Sequence, residues 1–439
     1  MSFSRRQGAI STMSAKAQFS DMTPVRRHKP DYLIVLYMGL LMLIGLIIMY
    51  AIGPQRANVL NNAYGSNYSD TYFFLKQVVS LVVALVAFVA MAYIPYTVVT
   101  KNAGKILLFA LGSCVLLAVA GWLHLSIAQQ SLGATRWFNL GFLGTLQPAE
   151  LLKFAILVFT AGFLGVKSKQ GTINDVHETL IPLGILLAIS MLFIVVIQKD
   201  LGTGISLLGI ITAMLFVAGI NKRNGLTIFL LIVAIGLVLV FSAPHRIERI
   251  MTYLKGDDTS SSDSSSYHIE QAKLAIGTGG LFGVGVGNSV QSTGYLPEAT
   301  NDSVFAILGE TFGFVGLITI LILFSAILMR FLKIMDHLVD IRLRLIIAGV
   351  FGWFSAHVIL NVASMIGIFP LTGITLPLLS FGGTSMLFIT AALGLVFQLS
   401  HYTVHSLNLK GVQHENFGSR RGVGRSRHTG RSGFKRTEV

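Results

Sequence analysis

The segment Tyr295-Leu296-Pro297-Glu298-Ala299-Thr300-Asn301-Asp302 closes the chain's longest stretch between apolar runs, and the next run starts at Ser303. Asp302 therefore stands at the mouth of a membrane helix. A carboxylate there is costly unless it is paired or used, which marks it as a functional candidate. Two readings fit its position: a functional carboxylate, and the N-cap of the helix that follows. Glu310 lies about two turns further in, on roughly the same face, between Leu308 and Phe312. It too needs a partner.

A second group gathers cations. Glu150 and Lys153 are spaced i, i+3, so they share a helix face and can pair. Either this is a plain structural ion pair, or Lys153 holds an anionic substrate group that Glu150 orients. Arg136, beside Trp137, is a fork-shaped donor suited to phosphate. Asp200 sits in a short turn, Ile197-Gln198-Lys199-Asp200-Leu201-Gly202-Thr203-Gly204. It is a helix cap or part of a site. Asn361 and Ser364 face the last long loop, where they serve the site or act as interhelical glue.

The elements that must position these residues are membrane helices. The chain is 53% hydrophobic and 12% charged over 439 residues, where a soluble domain carries about 25% charged residues. Ten apolar runs reach the roughly 20 residues needed to cross a bilayer: 32–52, 72–94, 104–124, 148–166, 178–197, 201–220, 225–243, 303–330, 343–366 and 384–403. The expected fold is all-α, one polytopic domain over 32–405, between a basic tail at 1–31 and a basic, disordered tail at 406–439.

Charge orients the helices. With both termini in the cytoplasm, inner segments hold 24 of the 33 Lys and Arg, and the outer side holds 11 of the 19 acids. This is the positive-inside pattern. The basic stretch 420–436 carries a single aromatic, Phe434, too few for a stacking surface, so the tail is expected at anionic lipid rather than on nucleic acid. Cys114 is the only cysteine, which leaves it a packing role. The polar, basic first 31 residues show no cleavable signal peptide.

Three long outer segments, 125–147, 244–302 and 367–383, carry the chemistry-bearing residues, and long loops of this kind more often work than merely link. Within 244–302 we expect an interfacial helix at 245–254, a flexible Ser-rich stretch ending at Ser266, and a short helix from Tyr267 to Ile276. The glycines from 277 to 287 miss the dinucleotide spacing and serve close backbone approach instead. There is no Walker loop, no H-E-x-x-H, no Cys/His cluster and no G-x-S-x-G, which excludes ATP coupling and zinc hydrolysis within the chain.

Six motifs in order resemble those of the SEDS family (shape, elongation, division, sporulation), the polytopic peptidoglycan glycosyltransferases. They are Gly133-Ala134-Thr135-Arg136-Trp137, Gln147-Pro148-Ala149-Glu150-Leu151-Leu152-Lys153, Asp200-Leu201-Gly202-Thr203, Gly285-Val286-Gly287-Asn288-Ser289-Val290-Gln291, Tyr295-Leu296-Pro297-Glu298-Ala299, and Leu376-Pro377-Leu378-Leu379-Ser380-Phe381-Gly382-Gly383-Thr384-Ser385. The wording is nearer the cell-division branch than the elongation branch. The chain departs from the family pattern in three places: Thr300-Asn301-Asp302-Ser303 stands where His-Thr-Asp-Phe is usual, Lys199 where proline is usual, and Phe381 where tyrosine is common.

The resemblance implies polymerisation of lipid II on the outer membrane face for septal wall synthesis. It implies Asp302 as the base, and Arg136 and Lys153 at the leaving pyrophosphate. Further substrate contacts are implied at Glu150, Trp137, Asp200, Gln291, Glu298, Ser380 and Ser385. A divalent cation, Mg or Mn, is the one cofactor it leaves open. The implied partners are a class B penicillin-binding protein, other divisome proteins and membrane lipid. The alternative from another class is a lipid II flippase or other lipid-linked sugar transporter, which would need ionisable residues along a path through the midplane. A division scaffold is the third class.

Overall fold

The computed structural model describes residues 29–131, 134–139, 141, 144–228, 230 and 264–403. Among these, nine helices are long and apolar enough to cross a membrane, as the hydropathy pattern predicts. They are α1 (Tyr32–Tyr64), α2 (Tyr72–Tyr93), α4 (Ala103–Trp122), α5 (Pro148–Gln170), α6 (Val176–Ile197), α7 (Leu201–Ala218), α9 (Val304–Asp336), α10 (Ile341–Met365) and α11 (Gly383–Leu399). Further helices α3 (Tyr96–Lys101) and α8 (Ser264–Thr278) lie between them, and residues 222–228 are also helical. Most of the remaining apolar run, 225–243, the seventh in order, lies outside the described residues. So do the expected interfacial helix at 245–254, most of the Ser-rich stretch, residues 1–28 of the first tail, the last tail and Gly133.

Two boundaries differ from expectation. α1 runs to Tyr64, about three turns beyond the apolar run. Its extension, Pro54 to Tyr64, is polar, so hydropathy cannot distinguish it from a loop. α8 starts at Ser264, so the last serines of the Ser-rich stretch are helical. The segment at 125–147 is also more ordered than a loop. It folds as an antiparallel sheet, with β1 (Ala128–Ser131) on β2 (Ala134–Asn139) and β2 on β3 (Thr145–Leu146). Gln129 pairs with Trp137, and a register shift follows before Gln130 meets Thr135.

Polar contacts sort the helix ends into two sets. At the first end, Arg330 of α9 pairs with Asp31 before α1, whose backbone N–H donates to Ser400 Oγ at 2.9 Å. Gln398 Nε2 donates to Ala92 O at the end of α2, 3.1 Å away. Asn221 N donates to Asn174 Oδ1 at 2.7 Å, joining the α5–α6 and post-α7 turns. At the second end, Gln55 Nε2 donates to Gly287 O at 3.4 Å, Gln147 Nε2 to Asp200 Oδ2 at 2.9 Å, and Thr384 Oγ1 to Thr145 O at 2.6 Å. The chain is at the first end at 221–224 and at the second end at His268.

α7 and α10 cross closely. A Cβ on Gly352 would lie 2.4 Å from Gly209 O and 2.8 Å from Ala213 Cβ. Small residues let backbones approach where lipid supplies no hydrophobic drive between helices. The crossing brings the middle of α10 against α7 and α5, and that junction holds the buried half of the site.

Candidate functional site

Asp302 belongs to a turn tied to three other elements. Its carbonyl accepts from Asn361 Nδ2 on α10 at 2.7 Å. Two residues earlier, Thr300 O accepts from Phe381 N at 2.8 Å. One residue later, Ser303 Oγ donates to Pro297 O at 2.9 Å and meets His268 Nε2 of α8. The carboxylate is half-buried and faces the 367–382 segment, where a Cβ on Gly373 would come 4.0 Å from Asp302 Oδ2. Ser303, not Asp302, occupies the N-cap position of α9, and the Ser303 side chain makes no capping bond there.

Glu310 does find its partners. Ser289 Oγ donates to its Oε2 at 2.5 Å and Val290 N to its Oε1 at 2.9 Å, with Gln291 N at 3.3 Å. This carboxylate organises the Asn288-Ser289-Val290-Gln291 turn. Three residues on, Gly313 adopts φ +67° and breaks α9. Gly283, at φ +83°, lies against it, and a Cβ there would sit 2.2 Å from Thr311 O. Only glycine tolerates both the torsion and the contact.

Lys153 is fully enclosed. Its Nζ sits 2.7 Å from Glu150 Oε1, donates to Ser206 Oγ at 3.3 Å and meets His357 Nε2 at 3.0 Å. The ammonium also lies 4.9 Å from the centroid of the buried Trp353 ring, a cation–π contact. All three ammonium protons are thus committed inside the protein. The expected contact between Lys153 and an anionic substrate group is not offered by this arrangement; the ion pair is what the i, i+3 spacing produces.

Arg136 stands on β2 with its guanidinium over Trp137. Its Nε donates to Gln198 O at 3.0 Å and an Nη to Lys199 O at 2.8 Å. Among the described residues its other Nη group is not engaged, and the side chain is half-exposed. The turn it holds puts Lys199 at φ +52°, a torsion that proline's ring forbids. This is where the chain departs from the family's usual proline. Asp200 caps α7, its carboxylate accepting from Thr203 N at 2.9 Å, Thr203 Oγ1 at 2.8 Å and Gln147 Nε2.

The remaining candidates spread along the second end. Glu298 is exposed, at φ +48°, with its carboxylate accepting from Asn301. Ser380 Oγ accepts from Leu376 N at 2.8 Å, and Ser385 Oγ from Thr375 Oγ1 at 3.3 Å. Both shape the 367–382 segment, whose Leu376, Leu378 and Leu379 are buried. Asn361 and Ser364 do face that segment, donating to Ile374 O at 2.7 Å and Pro370 O at 3.2 Å. Sequence reasoning missed Ser206, Trp353 and His357. The signal was a stripe at 353, 357, 361 and 364 on one face of an otherwise apolar span.

A divalent cation finds no protein cage, since no three His, Cys, Asp or Glu side chains among the described residues lie together to hold one. Among the same residues, the ionisable groups of the long helices sit toward their ends. None lines a route through the middle of the bundle, except His357, which is held by Lys153 and Trp353.

The family profile described as "Cell cycle protein", covering FtsW, RodA and SpoVE, matches residues 31–405. "Stage V sporulation protein E" of Bacillus subtilis is 33% identical over 382 residues, covering 86% of this chain and 99% of that protein. "Probable peptidoglycan glycosyltransferase FtsW" of Escherichia coli O6:H1 is 32% identical over 339 residues, covering 76% and 79%. The crystal structure of Thermus thermophilus RodA has a TM-score of 0.60 at 23% identity, covering 86% of this chain and 98% of that one. A chain from a structure entitled "Structural coordination of polymerization and crosslinking by a peptidoglycan synthase complex" has a TM-score of 0.65 at 23% identity, covering 84% and 97%. The two solved structures carry the fold, and the profile together with the sporulation and division relatives carries the ancestry: the chain is a multi-pass membrane protein of the FtsW/RodA/SpoVE, or SEDS, family.

Proposed function

We propose that the chain is a peptidoglycan glycosyltransferase that polymerises lipid II on the outer face of the cytoplasmic membrane. The observation that carries this reading is the Asp302 turn. A half-buried carboxylate is held by backbone bonds to α10 and to the 367–382 segment, at the end of the bundle opposite the basic turns.

The reaction joins two lipid-linked sugars. Asp302 takes the proton of the acceptor's 4-hydroxyl as that oxygen attacks the donor's anomeric carbon. The C–O bond to pyrophosphate breaks, and undecaprenyl pyrophosphate leaves with the electron pair. A single displacement inverts the anomeric centre, so one carboxylate suffices and no covalent sugar–enzyme intermediate forms, by analogy with inverting glycosidases. Arg136 offers its unengaged Nη group to the leaving pyrophosphate, where a planar fork matches two oxygens. Lys153 acts from behind, as a fixed cation in the wall of the site. Trp137, Gln291, Glu298, Ser380 and Ser385 border the substrate path, and Asp200 fixes the turn that Arg136 reads.

Both termini face the cytoplasm in this reading, the chain works at the division septum, and a class B penicillin-binding protein cross-links the product. A transporter is disfavoured by the clustering of ionisable groups at the helix ends. The test is polymerisation by the purified full-length chain, in liposomes with fluorescent lipid II. Glycan ladders on a denaturing gel are expected. Unchanged lipid II, with or without a class B penicillin-binding protein, would overturn the proposal.

A further inference from the structure

One face of α10 carries Trp353, His357, Asn361 and Ser364, each 2% exposed or less. Their bonds run in two directions. His357 Nε2 meets Lys153 Nζ at 3.0 Å and accepts from Trp353 Nε1 at 3.2 Å. An ammonium and an indole N–H can only donate. Nε2 therefore bears no proton, and the ring's single proton is on Nδ1. Nδ1 in turn lies 3.2 Å from Thr375 O, a carbonyl that can only accept. The environment thus fixes one neutral tautomer, and a doubly protonated ring would have no lone pair for Lys153.

One turn along, Asn361 Nδ2 donates to both Asp302 O and Ile374 O, each at 2.7 Å. The two residues therefore bind neighbouring carbonyls, 374 and 375, of the same buried segment. One also binds the buried cation, and the other the turn of the half-buried carboxylate. Four residues of helix separate them, about 6 Å along the axis.

We propose that His357 and Asn361 are positioning residues of the transferase site, with α10 acting as a ruler between Lys153 and Asp302. Neither touches substrate. His357 sets the Lys153–Glu150 pair against the 370–376 backbone, and Asn361 sets the Asp302 turn against the same backbone. Misplacing a reacting group by about 1 Å can cost roughly 100-fold in rate, so loss of either connector lowers turnover while substrate binding is kept. The inference rests on the transferase reading above.

Three variants separate the connections. His357→Asn keeps a donor near Thr375 O but withdraws the acceptor from Lys153. His357→Gln can present a carbonyl to Lys153 but loses the Nδ1 donor. Asn361→Leu removes both backbone bonds at similar volume. Two readouts are taken on the full-length chain: kcat and KM for lipid II, and hydrogen exchange of backbone amides at 298–303 and 371–377. We expect kcat to fall about 10- to 100-fold in all three, with KM within about twofold. Exchange rises at 371–377 in His357→Gln and at both segments in Asn361→Leu, while His357→Asn keeps its protection.

Wild-type kcat in the variants, raised KM with kcat intact, or protection lost evenly along the chain would each overturn the ruler. If the wild-type chain itself makes no polymer, the transferase reading fails. The exchange pattern still decides the placement: local deprotection upholds the tethers, and unchanged exchange removes them.

Discussion

At the scale of single residues, the buried ion pair separates spacing from use. Glu150 and Lys153 were legible as partners because i, i+3 residues share a helix face. Their enclosure was not, since it comes from α7 and α10, far away in sequence. Removing one member of a buried pair leaves the other charge uncompensated, at a cost of about 3–5 kcal/mol. Lys153→Met and Glu150→Gln are each expected to lower the melting temperature by several degrees. The double variant should fall well short of the summed losses, because both remove the same interaction. Strict additivity in thermal melts would show that the pair is not coupled. Arg136→Lys should behave differently. A point charge keeps the sign but not the fork, so polymerisation drops about tenfold while the melting temperature shifts little, and full activity would remove Arg136 from the pyrophosphate.

At the scale of elements, the glycines of 277–287 were legible as close-approach residues, but their target was not. Two of them, Gly279 and Gly283, lie against the first turns of α9, where a Cβ would come within 2.0 Å of Gly309 O and 2.2 Å of Thr311 O, beside its break at Gly313. Gly283→Ala adds a Cβ at a positive φ, 2.2 Å from a backbone oxygen, a contact that only backbone movement can relieve. A loss of at least about 1–3 kcal/mol is expected from the torsion alone, visible in denaturant or thermal unfolding. A variant as stable as wild type would mean the segment is not packed this way. The α10 start makes a pH-dependent prediction. Burial alone would raise the Asp340 carboxyl, but hydrogen bonds from the Arg342 side chain and backbone, with its charge, outweigh it and hold the carboxyl below its ordinary value of 3.8. A lowered folded value adds stability above the unfolded value, and that stability is lost as pH falls through the folded one. Asp340→Asn should therefore melt lower than wild type at neutral pH, and the gap should close below about pH 4. A gap that does not change with pH would contradict the assignment.

At the scale of the whole molecule, hydropathy and charge made the bundle legible. Nine of the ten expected runs appear as helices among the described residues, and the basic turns share one end. What stayed hidden was short or polar: the extension of α1, the sheet around Arg136, and the burial of Leu376, Leu378 and Leu379 at the second end. In each, local composition mimics a loop and tertiary contacts decide. The topology can be checked at described positions. In a Cys114→Ser background, Thr293→Cys should react with an impermeant thiol reagent on intact cells, and Asp336→Cys only after lysis. Labelling of Asp336→Cys on intact cells would invert the bundle and move the active end to the cytoplasm.

The central claim is that Asp302 is the base of a lipid II polymerase. An asparagine matches the aspartate in size and can still accept a hydrogen bond, so Asp302→Asn should fold, insert and melt like wild type. An amide cannot take the acceptor's proton, and glycan polymerisation should fall to background, as read by product ladders from equal amounts of purified protein. Wild-type yield and chain length from Asp302→Asn would contradict the account.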